Sequence, residues 1–74
     1  MSQLIRMDQS GHTTLAEWSV EDQRSVDAAL AAFRAELDRG LFAVVSRPGG
    51  EAEQVRELPL DAPLVILRRP IAGG

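Results

Sequence analysis

The 74 residues include no cysteine and no lysine, one histidine, and three aromatic side chains. Without cysteine there is no disulfide staple, no thiolate metal ligand and no thiol nucleophile. The lone His12 cannot build a histidine metal site. All eight basic residues are arginine, so no side-chain amine can accept an acyl group. Long apolar runs are missing too. The opening MSQLIRMDQSG lacks the apolar stretch of a signal peptide, and nothing approaches the roughly 20 apolar residues of a membrane span. A chain this short buries only about 60% of the surface that it exposes unfolded, which leaves little room for a catalytic cleft. These absences predict a soluble cytoplasmic domain, not an enzyme, with no metal or bound cofactor.

Charge is distributed unevenly. Residues 1–40 carry seven acids against four arginines, and residues 41–74 balance four acids with Arg47, Arg56, Arg68 and Arg69. A net charge of −3 argues against a nucleic-acid partner, because neutralising phosphates needs clustered positive charge. The four later arginines either cluster on a sheet to meet an acidic partner or occupy solvated strand positions.

QLIRMD and HTTLAEW flank QSG, whose glycine suits a positive φ, and the three segments read as a hairpin. The period then changes. Val26, Leu30, Phe33 and Leu37 recur at helical spacing and predict one buried helix face. Ser19 with Asp22 resembles a capping box, Ser25 is a second candidate cap, and Gly40 stands where a left-handed cap is wanted. Glu21 and Asp22 suit the start of the helix dipole, and Arg39 suits its end. LFAVVSR, PGG and EAEQVREL predict a second hairpin whose later strand is the weaker. PLDAP is a loop, because its prolines cannot continue a ladder. LVILRR is a final strand whose facing cannot be read from a continuous apolar run. Trp18, Phe33 and Phe42 supply the aromatic bulk of the expected core. The order ββαββ, then β if the weak strand is counted separately, predicts a two-layer α+β domain with one helix packed across a sheet.

Two diglycines give an internal comparison. Gly49 and Gly50 follow Pro48 between two strands, where turn chemistry accounts for them. Gly73 and Gly74 have no following strand to turn into. Their lack of a Cβ lets backbone approach closely and adopt any φ that a narrow channel imposes. A strand ending just before them gives a short tail a rigid base.

LPLDAPLVILRRPIAGG resembles the C-terminal segment of ubiquitin-like β-grasp proteins: a loop, the last strand and a diglycine tail. The resemblance implies a β-grasp domain over residues 1–70, with one helix on a ββαββ sheet, and a flexible tail over 71–74. It implies that a partner adenylyltransferase spends ATP to activate the Gly74 carboxylate. Gly73 and Gly74 are then the activated end, with Ala72, Ile71, Pro70, Arg69, Arg68 and Ile66 as partner contacts. Two branches of the superfamily fit. Arg68 and Arg69 resemble the tail arginines of protein modifiers, although they sit earlier, and Pro70 stands where ubiquitin has an arginine. RPIAGG is more similar to the tail of the molybdopterin synthase small subunit, a sulfur carrier, although that family opens with one strand and more helix. The compact opening places protein modification first. A conjugating cysteine enzyme and a deconjugating metalloprotease are then further partners, and the free chain is a monomer. A thiocarboxylate sulfur carrier of the molybdopterin or thiamine type is the alternative. A non-covalent interaction module with an incidental tail is the second alternative.

Overall fold

Gln9 and Ser10 join strand β1 (Ser2–Asp8) to β2 (Gly11–Trp18), and Gly11 takes the positive φ that the turn requires, +121°. The Asp8 carboxylate accepts hydrogen bonds from the Ser10 hydroxyl at 2.6 Å and the Ser10 amide at 2.9 Å. The order then runs α1 (Gln23–Asp38), β3 (Phe42–Ser46), β4 (Ala52–Val55) and β5 (Leu64–Arg68). The structure, a computed structural model, describes residues 1–46 and 49–70. Leu58, expected near the end of the weak strand, instead lies beyond β4 and is buried in the core.

The five strands form one mixed sheet in the order β2-β1-β5-β3-β4. β5 lies in the middle, parallel to β1 and antiparallel to β3. The two hairpins therefore do not pair with each other in the sheet; the last strand lies between them. α1 packs on one face of this sheet, giving the expected α+β, helix-on-sheet architecture.

Alternation sorts the strand side chains between faces. Leu4, Ala43, Val45, Val65 and Leu67 meet Val26, Ala29 and Phe33 of the helix in one buried cluster. A register shift between Leu4 and Ile5 inserts Leu15 as an extra residue in β2. Leu15 and its neighbour Ala16 thereby both pack against the core. Trp18 is fully buried, and its indole nitrogen donates to the Leu60 carbonyl at 3.1 Å. One side chain thus fills the core and ties the loop before β5 to β2.

Helix boundaries follow local chemistry. Asp22, rather than either serine, is the N-cap: its carboxylate accepts from the Arg24 and Ser25 amides. The Ser25 hydroxyl links the approach to the helix, accepting from the Ser19 amide and sharing its one proton between the Asp22 carbonyl at 2.7 Å and the Ser19 carbonyl at 3.2 Å. At the other end Gly40, at φ +97°, lets the Leu41 amide reach the Glu36 carbonyl and its own amide reach that of Leu37. This is a Schellman closure. Arg39 is the C-cap itself and does not belong to the last turn.

The buried helix stripe differs from the expected one. Val26, Ala29, Phe33 and Glu36 are buried, Leu37 is half-buried and Leu30 is exposed. The stripe turns toward Glu36 because its carboxylate has two cations. Arg6 of β1 donates to it at 2.8 Å and Arg39 at 3.2 Å. Arg6 is three-quarters shielded, whereas most of Arg39 is in water. Glu36→Ala leaves Arg6 shielded without a partner, and we expect a loss of about 2–3 kcal/mol. Arg39→Ala removes only a screened pair and should cost under about 1 kcal/mol. Urea unfolding followed by Trp18 emission measures both; equal losses would show that the Arg6 pair does not fasten helix to sheet.

Candidate functional site: the helix-free sheet face and the end of β5

The sheet face away from α1 carries an apolar row across three strands. Ile66 of β5 is paired with Ile5 of β1 on one side and Val44 of β3 on the other. Ile5 is nearly buried although it stands outside the helix-side cluster, and Ile66 and Val44 are half-buried. The next row toward the end of β5 is Met7, Arg68 and Phe42. The Arg68 guanidinium donates to the Met7 thioether at 3.8 Å.

Beyond that row the chain leaves the sheet across an open depression. Met7, Ser10 and Phe42 line it together with Arg68, Arg69 and Pro70. Asp8 also borders it. The Ser10 hydroxyl and then its amide, with a smaller contribution from Arg6 and Arg69, hold the Asp8 carboxyl below its ordinary range. A carboxyl so lowered stabilises the turn at neutral pH, and that contribution fades as pH falls through its folded-state pKa.

The expected contacts Arg68, Arg69 and Pro70 are exposed and gathered in this depression, and Ile66 lies one row away on the same face. Ile71, Ala72, Gly73 and Gly74 lie outside the described residues, as do Arg47 and Pro48. The late arginines are not one cluster. Arg56 follows β4 and lines a separate groove beside α1.

Sequence reasoning missed Ile5, Val44, Met7 and Phe42. It placed Phe42 in the core, yet this ring is half-buried and outside the core cluster, on the helix-free face. Alternation in β3 is the signal that was present: Ala43 and Val45 face the helix, so Phe42 and Val44 cannot. Trp18 packs in the core and His12 is exposed opposite Met7. Among the described residues no group of histidine, aspartate and glutamate is placed to hold a metal ion, and no helix is long and apolar enough to cross a membrane.

Among the described residues, the depression brings together two arginines, the Asp8 carboxylate and the apolar side chains of Met7, Phe42 and Pro70. Comparison with known proteins finds no match to the chain: no family model, no curated protein and no solved structure.

Proposed function

We propose that the chain is a ubiquitin-like β-grasp protein whose Gly74 carboxylate is activated by a partner adenylyltransferase and passed to amines of other proteins. The observation that carries this reading is the placement of β5. It is paired along both edges, to β1 and β3, and only Arg69 and Pro70 intervene between its end and the IAGG segment. A tail leaving the middle of a sheet has a fixed origin, so ordering it in a channel costs little beyond its own few residues. The opening hairpin, the helix packed across the sheet and the last strand before the tail also support β-grasp.

In this reading a carboxylate oxygen of Gly74 attacks the α-phosphorus of ATP and pyrophosphate leaves. A thiolate of the conjugating enzyme then attacks the acyl carbon and displaces AMP. A target amine displaces that thiol and loses a proton, leaving an amide. In sulfur carriage hydrosulfide attacks the acyl carbon of the adenylate instead and displaces AMP, and Gly74 ends as a thiocarboxylate. The chain supplies the attacking carboxylate in the first step and the acyl electrophile afterwards, and the groups that attack that acyl carbon are on other molecules. Because it has no lysine, it forms no side-chain-linked chains of itself.

The row Ile5, Ile66 and Val44, with Arg68 beside it, is the docking face for the activating enzyme. Ile66→Thr keeps a β-branched strand residue and removes apolar contact. Its expected effect is a fall of about tenfold in Gly74 adducts in the host, with unchanged protein level. The direct test retains host proteins on the immobilised chain and assays them for exchange of labelled pyrophosphate into ATP. Exchange that needs the intact tail is the expected result; no exchange above that of a tail-less chain would overturn the proposal.

A further inference from the structure

Helical spacing assigns Leu30 to the core, yet it is 40% exposed. It stands at a groove between α1 and the segment after β4, floored by Phe33, Leu37 and Leu58. Arg34 and Arg56 flank the groove, and Glu57 is its one carboxylate. Neither guanidinium is engaged among the described residues, although Asp38 follows Arg34 at the spacing of a helical ion pair. Arg6 and Arg39, by contrast, both hold Glu36.

We propose that this groove docks a short segment of a partner protein that presents one leucine-like side chain between carboxylates. The groove is half open and holds about 260 Å³, and a cavity of roughly 150 Å³ already takes a benzene-sized group, so it has room for a large aliphatic side chain. Charge selects the rest. The chain carries −3 overall, but the groove lining has two arginines to one acid. Guanidiniums beside an apolar floor bind carboxylates in paired hydrogen bonds. A basic segment is repelled there, and an uncharged one leaves both arginines unused. The groove shares no lining residue with the depression at the end of β5, so the proposal is independent of the tail.

The test titrates the full isotope-labelled chain with the capped peptide Glu-Asp-Leu-Asp-Glu and reads amide shifts. The expected result is saturable movement at Leu30, Arg34, Leu37 and Leu58. Arg34→Glu combined with Arg56→Glu should weaken binding at least about tenfold, with Trp18 emission unchanged because both arginines are exposed. Leu30→Ser, outside the buried cluster, gives an independent loss should the charge reversals disturb folding. Equal binding of Lys-Lys-Leu-Lys-Lys, shifts confined to the helix-free face, or no saturable shift at millimolar peptide would each overturn the proposal.

Discussion

Trp18→Ala should leave most of the chain unfolded under conditions where the parent is native. The side chain is fully buried and touches the core from the end of β2. Truncating a buried tryptophan costs about 3–5 kcal/mol, and a core of this size rarely supplies more than about that margin. A second loss adds to the cavity: the Leu60 carbonyl gives up the indole donor at 3.1 Å. Trp18→Phe separates the two contributions. It keeps most of the apolar bulk, so its expected cost is about 1–3 kcal/mol, mainly the unpaired carbonyl. Far-ultraviolet circular dichroism during urea unfolding measures both variants, since each removes the fluorescent reporter. A Trp18→Ala chain as stable as the parent would show that the core is organised elsewhere.

The second large effect is functional and leaves the fold untouched. Deleting Gly73 and Gly74 should abolish every Gly74 adduct in the host, with no change in unfolding midpoint. Among the described residues the sheet pairing ends with β5 at Arg68, so the expected midpoint is that of the parent. Gly73→Val retains the carboxyl but adds a branched side chain where the channel must admit backbone. It should lower adduct formation by about a hundredfold, the scale on which misplacement of a reacting group acts. Retained adducts in either variant would place activation on another group. Retained function with no adduct at all would favour the interaction module.

Much of the fold was legible because local chemistry and global arrangement agree. Gly40 closes α1 where a left-handed cap was expected, although its N-cap is Asp22 and neither Ser19 nor Ser25, and the changes of period mark where strands give way to helix. The helix stripe was only half legible. Spacing favoured Leu30 over Ala29 because it weighs apolar bulk, whereas the structure buries the smaller side chain and leaves Leu30 exposed. Burial of Glu36 depends on Arg6, 30 residues earlier, and no periodicity signals such a pairing. Facing in β5 was illegible for a related reason. Leu64 to Leu67 are all apolar, and only the register with β1 and β3 turns Val65 and Leu67 toward the helix and Ile66 away.

The candidate site divides in the same way. Arg68, Arg69 and Pro70 were legible as a group, since adjacency in sequence keeps them together beyond the last strand. Their neighbours Met7 and Phe42 come from strands 26 or more residues away and join them through sheet order alone. The arginines as a set were misleading: Arg56 and Arg68 look equivalent in composition, but the loop after β4 carries Arg56 to the helix side of the molecule.

The central claim is that the Gly74 carboxyl is the working group. Intact mass of the chain purified from its native host, with a search for peptides carrying its C-terminal remnant, tests it most directly. Amides joining Gly74 to amines of other proteins are the expected result. An oxygen-to-sulfur exchange at Gly74 would keep the activation step and replace modification with sulfur carriage. Only unmodified chain, in cells where the protein is active, would contradict the account.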